Sequence, residues 1–296
     1  MIARFCALVH VFTRMSAPSP FILSGPHQPR SAVVVSVPHA GRTYPPELAV
    51  AARVPSSTLQ RLEDRYADLL AKGLAAKGYR IITATYARAW IDLNRAEDEW
   101  DSSLIVGGRP PPHVGRYTRA GLGIIPRRLH GVGELWRRRF SHDELLARVE
   151  AVHRPYHGAV ASALGEAVTA FGSAVLIDLH SMPRQPGGDP ELVLGDRHGL
   201  TATPQLADRL MAVAEGQGFQ VARNAPYAGA HTIERHASRA RRIEAVQLEV
   251  DRSLYLDAAM EPCPVALRRM AGVVERIVAA ADAYATGDQP FILAAE

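Results

Sequence analysis

Two segments of the chain are apolar at almost every position: AVVVSV at Ala32–Val37 and AVLIDL at Ala174–Leu179. A strand with one wet face alternates apolar and polar residues. A strand that is apolar throughout has to be covered on both faces. Sheets covered on both faces are built largely from parallel strands joined by helical crossovers. The two runs therefore constrain the chain more than any other feature. They call for an α/β sandwich of three layers around a mostly parallel central sheet.

The rest of the chain fits that alternation. Further strands are expected at Tyr79–Thr85, Trp90–Leu93, Leu192–Leu194, Phe219–Arg223 and Ile243–Val250, with a brief one at Leu122–Ile125. Leu59–Lys77 has helical periodicity, with Ser57 and Gln60 spaced as a capping box. Ser141 and Glu144 form a second such box, opening a long helix to about Ala170 that should bend near Pro155. Thr203 followed by Pro204 is the preferred start of another helix, and Pro264–Thr286 reads as the last. The Gly/Pro-rich stretches at Gly107–Pro112 and Pro183–Pro190 are too short to separate domains and read as loops. Residues 26–296 are expected to form one domain. Residues 1–25, with the first convincing start at Met15, are expected to be an extension outside the fold. The apolar stretch Phe5–Phe12 is brief, broken by His10, and only loosely like a signal sequence. No segment has the roughly 18 consecutive apolar residues of a membrane helix, and a cytoplasmic location is expected.

Composition narrows the chemistry. The 296 residues include 12 His but only 2 Cys, Cys6 and Cys263, far apart and in no CxxC. Thiolate zinc fingers, iron–sulfur clusters and disulfide-dense folds are thereby excluded. A metal would have to be held by imidazole and carboxylate. The formal net charge is only +4, and nearly all the cations are arginines, Lys72 and Lys77 being the exceptions. Arg137-Arg138-Arg139 and Arg241-Arg242 are short clusters without interleaved aromatics, so nucleic acid is not an expected partner. Arginine has another use, the bidentate grip of carboxylates.

Three polar side chains sit at or near the C-terminal ends of apolar strands. His39 follows VVVSVP, His180 follows AVLIDL, and Glu249 lies in AVQLEV, on the strand face that Gln247 shares. Open α/β sheets bind ligands at those ends. Two imidazoles there, joined by Glu63 or Asp64 of LEDRYADLL, would make a His–carboxylate–His set with an open position, as catalytic zinc requires. Glu249 would remain as a general base. Asp178 and Ser181 flank His180 and could orient it. Spacing alone does not separate this from a solvated helix face bearing Glu63, Asp64 and Asp68, or from a Glu249–Arg252 pair.

At these residues the chain resembles the N-formylglutamate amidohydrolase family. The resemblance rests on SVPHAGRTYP (Ser36–Pro45), LEDRYADLL (Leu62–Leu70), WIDLNRAEDE (Trp90–Glu99), GLGIIPR (Gly121–Arg127), RPYHGAV (Arg154–Val160), IDLHSMP (Ile177–Pro183), LVLGDRHG (Leu192–Gly199), NAPYAGAHTIERH (Asn224–His236) and VQLEVDRSLYLD (Val246–Asp257), all in family order. It implies a phosphorylase/hydrolase-like fold of the zinc-carboxypeptidase kind. It also implies zinc-dependent hydrolysis of N-formyl-L-glutamate to formate and glutamate, in histidine breakdown. Carried over to this chain, the pattern makes His39, Asp64 and His180 the zinc ligands, with Glu63 as the adjacent competitor, and Glu249 the catalytic residue. A substrate with two carboxylates needs donors. Asn94 with Arg95 comes first and Arg127 second, with Arg235 and Asn224 as further candidates. Tyr227 and His231 of the PYAGAH loop could close over the substrate or stabilise an oxyanion, with Gly229 freeing the loop backbone. Tyr156 and His157 read as helix packing. The segment from Asp98 to Gly121 matches nothing in the pattern, which leaves substrate identity open. Other readings are an amidase for a peptidoglycan fragment or another N-acylated acidic amino acid, and a non-catalytic α/β binding protein.

Overall fold

A computed structural model describes residues 18–111 and 114–287. The expectations for Met15 and for the apolar stretch Phe5–Phe12 lie outside the described residues. The core is a seven-stranded sheet of β1 (Phe21–Ser24), β2 (Val33–Val37), β3 (Arg80–Ala84), β4 (Ala174–Met182), β5 (Leu192–Gly195), β6 (Val221–Arg223) and β7 (Ile243–Asp251). Their spatial order is β1-β3-β2-β4-β7-β5-β6. The central strands β3, β2, β4 and β7 are mutually parallel. β1 runs antiparallel to β3, and β5 antiparallel to β7 with β6 parallel to β5. This is a mixed α/β fold with a mostly parallel sheet, as the apolar runs require. β1 corrects the expected boundary at residue 25, because Phe21–Ser24 pair with Ile81–Ala84 inside the sheet.

Side-chain alternation along the strands separates two cores. Val34, Ile82, Leu176 and Ala245 face one layer, which includes Tyr156, Val160 and Leu164 of α2 (Arg154–Phe171). Val33, Val35, Ile81, Ile177 and Leu248 face the other, formed by α1 (Ala67–Ala71), α3 (Pro204–Glu215) and α5 (Pro264–Ala285). The short helix α4 (His231–His236) covers β7 on the α2 side. Each fully buried Val, Ile or Leu contributes about 1.5–3 kcal/mol, so the double covering of β2 and β4 is the main stabilising feature of the sheet. Asp282 of α5 fastens the start of β2, accepting from Ser31 Oγ at 2.8 Å and the Ala32 amide at 2.9 Å.

The capping signals at Ser141/Glu144 and Thr203 form as expected. The helix after Ser141 is interrupted by a π-helical segment, Val149–His153, in which the Arg154 amide donates to the Val149 carbonyl. Pro155 follows and has no N–H for the carbonyl four residues back, so the register shifts there.

Three expectations fail. Leu59–Lys77 is not one helix. It is broken into Ser56–Leu59, the 3-10 turn Gln60–Leu62, α1, and a second 3-10 stretch, Lys72–Lys77, with no Ser57 cap. Trp90–Leu93 and Leu122–Ile125 are not strands but irregular chain held by isolated bonds, Asp92 N to Ile124 O (2.7 Å) and Ile124 N to Glu99 O (2.7 Å). Burial inside the α2-side layer makes both segments apolar without sheet pairing.

Candidate active site

The polar groups that the strands give to the site, Ser36, Asp178, His180, Gln247 and Glu249, project from one face of the sheet, the α2 side. Ser36 lies opposite Asp178 in the β2–β4 ladder, and His180 lies opposite Glu249 in the β4–β7 ladder. β2 ends at Val37, and the turn beyond it delivers His39 beside His180, their ring centroids 4.7 Å apart. This turn needs Gly41, since a Cβ there would come within 2.0 Å of the Tyr86 carbonyl oxygen.

Asp64 arrives from the break in the expected helix. Glu63 is extended (ψ 151°) and Tyr66 is left-handed (φ 60°). The Asp64 amide donates to the His39 carbonyl at 3.0 Å. The break thus docks Asp64 on the His39 turn, which a continuous helix would not do. Glu63 points elsewhere, accepting from the Tyr44 hydroxyl and from Arg65 Nη1 (3.2 Å).

The two imidazoles are arranged alike. His39 Nε2 lies 2.7 Å from Asp92 Oδ1, and His180 Nε2 lies 2.9 Å from Asp178 Oδ2. Carboxylates accept, so each Nε2 carries a proton; His39 Nδ1 presents its lone pair, while His180 Nδ1 also donates to Asp64 Oδ2, a proton that a metal ion would displace. Both Nδ1 atoms face Asp64 Oδ2, at 3.5 Å from His39 and 2.8 Å from His180. His39 Nδ1 is buried and has no hydrogen-bond partner. The ligating atoms of His39, Asp64 and His180 all lie within 4.8 Å of one another. Two imidazole nitrogens and a carboxylate oxygen, each imidazole backed by a buried carboxylate, are the donor set and supporting arrangement of a zinc-type site. The residues present fit such an ion.

The supporting carboxylates are themselves anchored. Asp92 also accepts from Arg88 Nε (2.8 Å) and the Asn94 amide (2.9 Å). Asp178 accepts from Ser36 Oγ at 2.7 Å, and Ser36 bonds the Tyr156 hydroxyl at 2.8 Å. Ser181, also expected to orient His180, has an Oγ without a partner. Burial would push Asp92 up, but Arg88 and His39 outweigh it and hold the carboxyl well below its ordinary range. Burial likewise works against Asp64, and the His180 imidazole bonded to it, with His39 close by, keeps it ionised. Glu249 goes the other way. Burial raises it to about 7, with Asp64 opposing its charge and His180 favouring it. It accepts from Gln247 Nε2 at 2.7 Å and does not pair with Arg252.

His39, Asp64, His180, Gln247 and Glu249 line a cavity of about 300 Å³, at the small end of the range for ligand sites. Asn94, Arg95 and Tyr227 line it, together with Arg61, Arg88, Tyr117 and Arg252. The Asn94 amide is already engaged: Nδ2 donates to Gln247 Oε1 (3.0 Å) and Oδ1 accepts from the Thr232 amide (2.8 Å). Arg95 is gripped by the carbonyls of Leu122 (2.8 Å) and Asn94 (2.6 Å) and stacks over Tyr117 at 4.0 Å. Arg252 donates to the Ser181 carbonyl at 3.0 Å, and its Nε is buried without a partner. The structure thus adds Asp92, Arg88, Gln247 and Arg252 to the expected residues. Gln247 alternates with Glu249 along the strand, and Asp92 and Arg252 stand inside the motifs WIDLNR and EVDRS, so the signal was present in the pattern.

Other expected residues lie elsewhere. Arg127 is paired with Asp101 (2.6 Å) and with Glu134, and does not line the cavity. Two nearby acids satisfy it before any substrate could. His231 turns away from the cavity to pack among His153 and His157, with burial and the cations around it lowering it to about 3. Asn224 binds Asp196 at 2.7 Å, and Arg235 lies with His157 and His236 rather than in the cavity. Tyr156 and His157 are buried packing residues of α2, as expected. Gly229 has φ +91°, and a Cβ there would collide with Ile233 Cδ1 at 2.2 Å, so the PYAGAH turn requires it. Among the described residues no helix is long and apolar enough to cross a membrane.

Fold and site define an amidohydrolase acting on a linear amide. The chain belongs to the N-formylglutamate amidohydrolase family, whose model matches residues 31–256. It is 31% identical over 246 residues to the N-formylglutamate deformylase of Pseudomonas putida, covering 78% of this chain and 84% of the relative. The deformylase of Pseudomonas aeruginosa is 30% identical over 254 residues, with 81% and 86% covered. The crystal structure of N-formylglutamate amidohydrolase from Ralstonia eutropha superposes with a TM-score of 0.81 at 30% identity, covering 89% of this chain and 99% of that one.

Proposed function

We propose that this chain hydrolyses N-formyl-L-glutamate to formate and L-glutamate, using a zinc ion held by His39, Asp64 and His180. The observation that carries the reading is the register of His180 against Glu249, which sets a buried base beside the proposed ligands. When bound, the ion supplies Lewis-acid polarisation of the formyl carbonyl and acidifies the attacking water. Glu249 takes a proton from that water as its O–H adds to the formyl carbon. It returns the proton to the amide nitrogen as the C–N bond breaks, releasing formate and the free amine. A base that burial raises to about 7 can perform both transfers near neutral pH.

Asp92 and Asp178 hold the two imidazoles by Nε2, so that Nδ1 is the atom left for the ion. Arg95 and Arg252 bind the two carboxylates of the substrate, and Tyr227 closes the cavity wall. Asn94 acts by orienting Gln247, and through it Glu249. The relatives named as deformylases support the substrate; a role in histidine breakdown and a cytoplasmic location are part of the same proposal. The test is formate release from N-formyl-L-glutamate by protein of known metal content, with N-acetyl-L-glutamate and a muramyl peptide as competing substrates. Preference for either competitor would replace the substrate assignment while leaving the reaction class.

A further inference from the structure

A second cluster of imidazoles lies behind the cavity. His153 ends the π-helical segment, and His157 follows one turn later on the same face of α2. His231 begins α4, across from them. The ring centroids are 4.5 Å apart for His153–His157, 5.2 Å for His157–His231 and 5.7 Å for His153–His231. His153 and His157 are 0% and 1% exposed.

The hydrogen bonds fix where two of the lone pairs are. His153 Nε2 is 2.8 Å from the Arg95 carbonyl, and His157 Nε2 is 2.9 Å from the Leu93 carbonyl. A carbonyl only accepts, so both Nε2 atoms carry protons and both Nδ1 atoms carry lone pairs. His153 Nδ1 is buried without a hydrogen-bond partner, and so is His231 Nε2. An unpartnered buried nitrogen is destabilising, and here one cluster holds two. One ligating atom from each of the three residues lies within 4.8 Å of the others.

We infer that His153, His157 and His231 form a second metal site, for a first-row transition-metal dication such as zinc or cobalt. Three neutral imidazoles suit those ions and not magnesium or calcium, which require oxygen. Coordination by His157 Nδ1 replaces the bond that His236 Nε2 donates to it at 2.9 Å. Glu97 Oε1, 3.9 Å from His153 Nδ1, is the nearest carboxylate available as a fourth donor. The site would be structural. His157 and His153 hold the carbonyls of Leu93 and Arg95, while the amide of Thr232, next to His231, holds the Asn94 side chain. A cation would therefore fasten α2 and α4 to the loop that presents Asn94 and Arg95 to the cavity. This inference does not depend on the ion at His39, Asp64 and His180.

The test is metal stoichiometry after loading with Zn²⁺ or Co²⁺ and desalting, with circular dichroism to confirm folding. The His39→Ala/His180→Ala protein should retain one equivalent and show a Co²⁺ visible absorption band. It should also melt several degrees higher in Zn²⁺ than in chelator. Adding His231→Ala should remove the equivalent, the band and the shift. If His39→Ala/His180→Ala does not fold, His231→Ala alone in the wild-type background should still lower the metal content by one equivalent. A folded His39→Ala/His180→Ala protein that binds no metal and shows no shift would overturn the inference. So would a His231→Ala protein with undiminished metal. The cluster would then be hydrogen-bonded packing only.

Discussion

Asp92 is the residue whose replacement best separates metal binding from folding. Its carboxylate, fully buried, accepts three hydrogen bonds: His39 Nε2 at 2.7 Å, Arg88 Nε at 2.8 Å and the Asn94 amide at 2.9 Å. Asp92→Ala would strand the Arg88 charge, and breaking a buried pair in that way costs about 3–5 kcal/mol. Asp92→Asn is the informative change. Its carbonyl oxygen can still accept from His39 and the Asn94 amide, but its NH2 group faces the Arg88 N–H and the negative charge is gone. The expected loss of stability is about 1–3 kcal/mol, the penalty of one unmet buried bond to a charged group. His39 also loses the charge that makes its Nδ1 a strong donor, and replacing such a supporting carboxylate typically weakens metal binding about 10–100-fold. Urea unfolding of the metal-free protein measures the first effect. Zinc titration against a competing chelator measures the second. As a control, Asp68→Asn removes the exposed Arg42–Asp68 pair, worth about 0–1 kcal/mol, and should leave zinc affinity unchanged. Equal zinc affinity in Asp92→Asn and wild type would refute the role of Asp92 in preparing His39, whatever happened to stability.

Glu249→Gln should keep the full metal content and lose turnover by about 10²–10⁴-fold, the usual contribution of a positioned acid–base group. In the wild type, kcat/KM should fall as the pH drops through and below about 7, because burial raises Glu249 to that value. A bound dication moves this limb to lower pH, and a kcat/KM with no acid limb down to the pH at which the protein unfolds would remove Glu249 as the base. Asp64→Ala should lose the one equivalent of metal held with His39 and His180 while Glu63→Ala keeps it, since Glu63 bonds Tyr44 and Arg65 instead; metal analysis of the two proteins decides this. Arg252→Lys should raise KM for a dicarboxylate substrate with little change in kcat, while Arg127→Ala should change neither, being paired to Asp101 and Glu134.

The sheet and the meeting of His39, His180 and Glu249 were legible because burial on both faces and position at a strand end are local properties of sequence. The runs at Ala32–Val37 and Ala174–Leu179 had only one environment open to them, and the residues following them inherited a place at the strand ends. Long-range contacts were not legible. Nothing in GLGIIPR says that Arg127 meets Asp101 and Glu134 before it could meet a substrate. Nor does the PYAGAH motif say that His231 joins α2 rather than the cavity. An arginine or histidine has the same sequence signature in both settings, and only the fold supplies the competing partner.

The broken helix around Asp64 shows why periodicity misleads at a functional site. Leu59, Leu62, Leu70 and Leu74 are all buried, so the helical pattern reported burial correctly. A continuous helix from Leu59 to Lys77 would satisfy its own amides and leave the Asp64 N–H within the helical ladder. Instead that N–H is spent on the His39 carbonyl, and Tyr66 takes a left-handed conformation that costs roughly 1–2 kcal/mol for a non-glycine residue. The cost is recovered only if Asp64 gains something a helix would deny it. What it gains is a buried oxygen bonded to His180 Nδ1 at 2.8 Å and facing His39 Nδ1 at 3.5 Å, the placement that a cation between the two imidazoles would use. The local strain is thus better explained by ligand geometry than by packing. Tyr66→Gly, which relieves the left-handed strain without moving Asp64, should raise stability or leave it nearly unchanged while metal content stays constant; loss of metal in that protein would show that the Tyr66 side chain, not the backbone break, positions Asp64.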